Sequence, residues 1–348
     1  MVDEQKARIN ISSMARKAEL NEVILRPHFK THQSTYVGEW FRDYGVEKIT
    51  VSSLTMAKYF AEADWRDITV AFPFNPLEIE TANTLAARIN LNLLVESLSV
   101  IEFLSENMHS PVNLFIKVDL GTHRTGMDPK DHEGIFSLIK RIEQSPNLLF
   151  AGFLGHAGHS YGSRTSEEIM AIHKESEETM TRLKNEFHAP LISVGDTPTC
   201  SVAKDFTWTD EIRPGNFVYY DLMQTQIGSC DLSQVAVAMR CPVVSRHASR
   251  NELIIYGGAV HFSKDHIIEN GEKVFGQVVN DKDWGSAVEG CILSKLSQEH
   301  GTVSGPPGFT DNFKEGDLIT IIPAHSCLTA DMLKQVYTPD GKPIAMMK

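Results

Sequence analysis

VILRPHFKTH, residues 23–32, sets an apolar run directly against an arginine, a lysine and two histidines. Read as a strand, the run puts Arg26, His28 and Lys30 on one face and Pro27, Phe29 and Thr31 on the other. Three basic groups on one face of a buried strand oppose one another's protonation, and burial opposes it further. Lys30 is therefore expected to carry a lowered pKa, the condition under which an amine becomes a nucleophile toward aldehydes. The bland alternative is a surface lysine at a frayed strand end, which is what most lysines are.

The run at 23–27 is the first of eight with strand character. KITVS (48–52), DITVA (67–71), NLLVE (92–96), LFIKV (114–118), LLFAGFLG (148–155), LISVG (191–195) and NFVYYD (216–221) follow. The segments between them are mostly helical in pattern, most clearly at 165–187. There Thr165 and Glu168 read as a capping box, and Ile169, Ile172, Met180, Leu183 and Phe187 recur at helical spacing. Such alternation is the pattern of parallel β/α construction, and the count of eight favours a closed (β/α)8 TIM-type barrel over an open doubly wound sheet. After Asp221 the pattern changes to β-type runs (VAVAM, ELIIYGGAV, KVFGQVV, DLITIIPAH) broken by Gly, Pro and Asn. The expected division is a barrel over 1–222 and a C-terminal β domain over 223–348.

Bulk composition narrows the function. At 348 residues, 42% apolar and 22% charged, the chain can bury a full core. A net charge of −12 argues against a nucleic-acid or anionic-membrane partner, since either needs a basic footprint. No window has the apolar length to span a bilayer, and MVDEQKARIN is not a signal peptide. The five cysteines are scattered without CxxC spacing, which argues against a disulfide framework and for a reducing cytoplasm.

In a (β/α)8 barrel the active site lies at the C-terminal ends of the strands. Lys30 ends the first strand, and Asp119 and Arg124, in VDLGTHRTG, follow the fifth. GHAGHSYG, with His156, His159 and Tyr161, ends the sixth. GDTPT, with Gly195 and Thr197, ends the seventh, and RPGN, with Gly215 and Asn216, is read as opening the eighth. Singly, each has an ordinary reading as a turn or a satisfied core residue. Converging on one mouth, they mark a site. GDTPT and RPGN offer glycine backbones and a hydroxyl suited to a phosphate cradle, although GxGxxG and Walker-type signals are absent. In PAHSCLTAD, His325 and Cys327 would share a face of a strand continuing DLITII and could grip one cation. Those ligands favour Zn2+ over Mg2+ or Ca2+, and two of them leave an open coordination shell. An HxC pair alone is a weak signal, better explained by chance.

RPHFKTH, VDLGTHRTG, GHAGHSYG, SVGDTPT, EIRPGNFVYYD and PAHSC occur in this order across nearly the whole chain. Together they resemble the fold-type III pyridoxal-phosphate enzymes of the D-serine dehydratase and D-threonine aldolase family. The resemblance implies an alanine racemase-like barrel binding pyridoxal 5'-phosphate, with a C-terminal β domain bringing zinc over it. Lys30 is similar to the family's Schiff-base lysine, and Arg124 to the arginine near the cofactor's phenolate oxygen. His156 and Tyr161 match residues against the pyridine ring, Thr197, Gly215 and Asn216 the phosphate cradle, and His325 and Cys327 the zinc pair. The implied reaction is that of a D-serine dehydratase, converting a β-hydroxy D-amino acid to a 2-oxo acid and ammonia. D-threonine aldolases of the family resemble HxD rather than HxC, whereas 3-hydroxyaspartate dehydratases resemble the HxC type. A non-catalytic carrier of the cofactor is the reading from another class, and such relatives lack the domain after Asp221. The family pairs two chains head to tail, so a homodimer is expected. It also carries a short strand before the segment equivalent to VDEQKARIN, so the first β-domain strand is expected to be missing or the start to lie too late.

Overall fold

A computed structural model describes residues 1–282 and 284–348. Helix α1 (Glu4–Leu20) opens the chain, capped by the Asp3 side chain on the Lys6 amide. Eight parallel strands follow: β1 (Ile24–Leu25), β2 (Lys48–Val51), β3 (Asp67–Pro73), β4 (Asn90–Val95), β5 (Val112–Val118), β6 (Leu148–Gly155), β7 (Leu191–Val194) and β8 (Glu211–Ile212). From β2 each pairs with the next, and β8 pairs back onto β1. The seam between β1 and β2 is closed by a parallel bridge between His28 and Thr50. Its bonds run from Phe29 N to Thr50 O at 2.8 Å and from Thr50 N to Pro27 O at 2.9 Å. The stretch that carries Lys30 is thus the clasp of the barrel.

Seven helices connect these strands: α2 (Thr35–Arg42), α3 (Leu54–Ala61), α4 (Ile79–Ala86), α5 (Leu98–Asn107), α6 (His132–Glu143), α7 (Ser166–Phe187) and α8 (Thr197–Val202). Ser34, Ser53, Asp131, Thr165 and Asp196 each cap the following helix by accepting a first-turn amide. Helix α7 buries Ile169, His173, Ser176, Met180 and Leu183, a stripe at helical spacing against the barrel.

Two expectations about local structure fail. The eighth strand is Glu211–Ile212, and NFVYYD instead begins as a 3-10 turn over Asn216–Val218. All six of its residues are buried, so no polar alternation separates buried strand from buried turn in the sequence. RPGN therefore leaves the eighth strand at the mouth rather than entering it from below. Likewise β1 ends at Leu25, and Arg26, His28 and Lys30 do not form a cluster of buried charges on one strand face. The Arg26 guanidinium is buried between Asp67, at 2.6 Å, and Glu211, at 2.7 Å. Lys30 is exposed at the mouth.

Past α9 (Leu222–Gln226) the chain forms β9 (Met239–His247), β10 (Glu252–Tyr256), α10 (Ala259–Phe262) and the hairpin β11 (Ile267–Glu269)–β12 (Glu272–Val274). Then come β13 (Gly276–Val279), β14 (Ala287–Leu296), β15 (His300–Ser304), β16 (Leu318–Pro323), α11 (Ser326–Leu333) and the hairpin β17 (Gln335–Tyr337)–β18 (Pro343–Ala345). Strands β10, β15, β14, β13, β16 and β9 close a second, antiparallel barrel around Leu253, Ile255, Phe262, Leu293, Val303 and Ile321. The two barrels are knitted at both ends of the chain. Val2 bridges Val237, while β18 packs on α2 and the Met347 amide donates to Gln33 O at 2.6 Å. Among the described residues no helix is long and apolar enough to cross a membrane.

Candidate active site

A cavity of about 900 Å³ opens at the C-terminal ends of the parallel strands. Lys30, Arg124, His156, Tyr161, Gly215, Asn216, His325 and Cys327 line it. Thr197 sits just behind, its amide donating to the Tyr161 phenol oxygen at 3.4 Å.

Lys30 follows the barrel clasp, and its own carbonyl accepts from Gln33 Nε2 at 3.2 Å. His28, two residues earlier, is held well below the usual imidazole pKa by burial and by Lys30, Arg213 and His156 around it. It is neutral, and its Nδ1 accepts the Lys30 amide at 3.3 Å. Arg124 is presented by the loop after β5, which Asp119 folds by accepting the Gly121 and His123 amides at 3.0 and 3.1 Å.

His156 lies against Gly195, its Nδ1–H donating to the carbonyl at 2.8 Å. Burial drives its pKa down to about 3, with Lys30, Arg213 and Lys117 adding to the effect, so the ring is neutral. Burial also keeps the Tyr161 phenol protonated. Two neutral rings therefore flank the cavity.

Thr197 is the first residue of α8, whose cap Asp196 takes the Thr199 amide at 2.9 Å. The Thr197 Oγ1 atom is buried without a hydrogen-bond partner. An unsatisfied hydroxyl beside a helix N-terminus is a fitting receptor for an anion. Gly215 completes this wall: a Cβ there would lie 3.0 Å from the His28 Cβ and carbonyl oxygen. Asn216 behaves differently from its neighbour. Its Nδ2 donates to Asp221 Oδ2 at 2.7 Å, to Ser326 Oγ at 3.0 Å and to Cys327 Sγ at 3.4 Å. Asp221 also accepts the Ser326 amide at 2.9 Å, which ties the loop after β8 to α11.

The strand expected to carry His325 and Cys327 stops at Pro323. His325 is the N-cap of α11 and Cys327 lies in its first turn, yet the two side chains still meet. His325 Nδ1 pairs with Asp265 Oδ2 at 2.6 Å. Burial opposes a charged imidazole, but Asp265 and Cys327 outweigh it and hold the His325 pKa up to about 11. Burial likewise pushes the Cys327 thiol up, and contact with His325 outweighs that and draws it below its usual value. Each shift favours the charged form of its group, and a soft cation would take the place of the proton between them. Thr31 Oγ1 lies 3.2 Å from Cys327 Sγ, so the residue after Lys30 touches the Cys327 sulfur. Among the described residues no group of three or more His, Cys, Asp or Glu is set to hold a metal, so an ion on this pair would keep open positions.

Sequence reasoning missed two cations under the cavity. Arg213 is buried, its Nε on Ser193 Oγ at 2.6 Å and its Nη2 on Gly155 O at 2.5 Å, with its pKa brought down to about 10 by burial. Lys117 is buried beside it, drawn down to about 7 by burial and then by Arg213. A lysine inside the apolar run LFIKV was a visible anomaly. Arg213 was hidden by the turn reading of RPGN.

A family profile described as "Alanine racemase, N-terminal domain" matches residues 2–222. A second, described as "Putative serine dehydratase domain", matches residues 236–338. The D-serine dehydratase of Dictyostelium discoideum is 30% identical over 97% of this chain and 91% of its own. The D-threo-3-hydroxyaspartate dehydratase of Delftia sp. superimposes with a TM-score of 0.92 at 26% identity, over 99% of this chain and 96% of that one. A cysteine-to-alanine variant of that enzyme has been solved in a metal-free form. The D-threonine aldolase of Filomicrobium marinum shares the fold, with a TM-score of 0.83 at 19% identity over 99% and 93% of the two chains. An alanine racemase-like barrel whose mouth holds a lysine, joined to a serine dehydratase-type second barrel, makes this chain a member of the fold-type III pyridoxal-phosphate lyases of the D-serine dehydratase and D-threonine aldolase family.

Proposed function

We propose that this enzyme is a zinc-dependent D-serine dehydratase, releasing ammonia and a 2-oxo acid from a β-hydroxy D-amino acid. The observation that supports the reading is the 3.2 Å approach of Thr31 Oγ1 to Cys327 Sγ, beside the cavity that Lys30, His325 and Cys327 line together. The residues fit the implied groups. Lys30 would hold the aldehyde carbon of pyridoxal 5'-phosphate, and Arg124 would approach its phenolate oxygen. His156 and Tyr161 would flank its ring, while the orphaned Thr197 hydroxyl, Gly215 and the loop at Asn216 would receive its phosphate. His325 and Cys327 would hold the zinc. In this division of labour, residues 1–222 carry the cofactor and 223–348 the metal.

When bound, the cofactor supplies an electron sink for the Cα electrons and the zinc a Lewis acid for the β-hydroxyl. Lys30 Nζ would take the Cα proton on its face of the cavity. His325 and Cys327, holding the zinc, would fix where the β-hydroxyl binds. Neutral His28 and His156 add no positive charge beside Lys30. HxC, softer than HxD, favours elimination over aldol cleavage.

The wider setting follows the same reading. Phe72 and Leu77, 62% and 92% exposed beside the mouth, suit coverage by a second copy in a head-to-tail homodimer. Five free cysteines suit a reducing cytoplasm.

Product identification after incubating the cofactor- and zinc-loaded protein with D-serine and D-threonine tests the reaction. Pyruvate and 2-oxobutanoate with ammonia are expected. Glycine with acetaldehyde from D-threonine would replace this reading with an aldolase.

A further inference from the structure

We infer that Asp265 is the positioning residue for the metal pair, holding the His325 ring so that its Nε2 faces the ion beside Cys327. This rests on the metal reading above and assigns a role to a residue from a separate element. Asp265 lies in the loop after α10, 60 residues before His325. Its Oδ2 is 2.6 Å from His325 Nδ1, and its own amide donates to Ser263 Oγ at 3.1 Å. The carboxylate is thus itself fixed before it fixes the ring.

An imidazole has two nitrogens, and a metal needs one of them deprotonated and correctly aimed. A carboxylate on Nδ1 keeps the proton there and leaves the Nε2 lone pair for the ion. It also supplies negative charge to a site where only one of the two ligands is anionic. The other ligand is oriented from the opposite side. Thr31 at 3.2 Å and Asn216 at 3.4 Å contact Cys327 Sγ, and both belong to the parallel barrel. With only two protein ligands, an ion here depends more heavily on their preset orientation than one held by three or four.

The test is titration of the metal-stripped, cofactor-loaded protein with Co2+, following thiolate-to-cobalt absorption, for wild type, Asp265→Asn and His325→Ala. Asp265→Asn preserves shape and removes the charge. Its dissociation constant for cobalt should rise roughly 10–100-fold, while the cofactor absorption band is unchanged. Asp265→Glu should recover part of the loss, which a purely structural contact would not predict. An Asp265→Asn constant within twofold of wild type would overturn the role of Asp265 and leave the metal site standing. Equal cobalt binding by wild type and His325→Ala would remove the metal site itself, and the inference with it.

Discussion

The molecule contains two closed barrels, one with buried charges among its apolar filling and one, among the described residues, without. The parallel barrel buries Arg26 between Asp67 and Glu211, with Lys117 and Arg213 nearer the mouth. The antiparallel barrel is packed by Leu253, Ile255, Phe262, Leu293, Val303 and Ile321. Charges inside a barrel are expensive to desolvate, and pairing offsets only part of that expense. The polar interior is nonetheless continuous with the cavity floor, where burial, and then Lys30, Arg213 and Lys117, lower the pKa of His156. The apolar barrel contributes no such field and instead supplies a firm base from which α11 presents His325 and Cys327. One barrel tunes charge and the other holds position.

That contrast can be broken at several points. The largest effect is expected at Lys30. Lys30→Ala should lower pyruvate formation from D-serine by more than about 10³-fold with the circular dichroism spectrum unchanged, since it removes the proposed base. Retained activity would detach the polar barrel from the chemistry. Next, Cys327→Asp converts the pair to HxD, and elimination should fall to the level of chelator-treated enzyme while cofactor loading stays intact. Unaltered turnover would show that softness at this position does not matter.

Stability separates the barrels more directly. Glu211→Ala removes one of the two carboxylates on the buried Arg26 guanidinium, leaving Asp67, and should cost about 3 kcal/mol in denaturant unfolding. A loss no larger than that of a surface substitution would mean that the polar filling is well solvated. Leu293→Ala in the other barrel should cost about 2–5 kcal/mol by leaving a cavity, and should weaken cobalt binding more than cofactor loading. Equal damage to both would mean the barrels do not divide the two tasks.

The smallest effect is a slope with pH. His32 is fully buried and neutral, its pKa lowered by burial to about 3 from the ordinary 6.5. The unfolded chain therefore binds a proton that the folded chain refuses. The stability this provides is complete above pH 6.5 and falls as pH drops toward the folded value. The loss should approach 1.4 kcal/mol per pH unit, roughly, for each such histidine. Denaturant midpoints measured between pH 7 and 4.5 should be flatter in His32→Leu. An identical slope would place the sensitivity elsewhere.

Much of this arrangement was readable from the chain. The helix after Thr165 carries its periodicity openly, because one face lies toward the core, and LLFAGFLG and KITV were readable as short apolar runs between helical patterns. NFVYYD misled because burial on every side erases that signal, and His325 and Cys327 because a helix cap also begins in extended backbone. The mouth residues were legible because they interrupt apolar runs. Asp265 and Asp221 were not, since their partners lie 60 and 105 residues away and only the folded chain brings them together.

Thr31 and Cys327 touch across 296 residues of chain, and that separation orders events during synthesis. Residues up to 222 leave the ribosome about a hundred residues before the metal pair does, an interval of roughly 5–20 s at ordinary elongation rates. Over that interval the growing polypeptide carries the lysine without the His–Cys pair opposite it. On the proposed function, the lysine that would take up the aldehyde is thus made before the pair that would hold the metal.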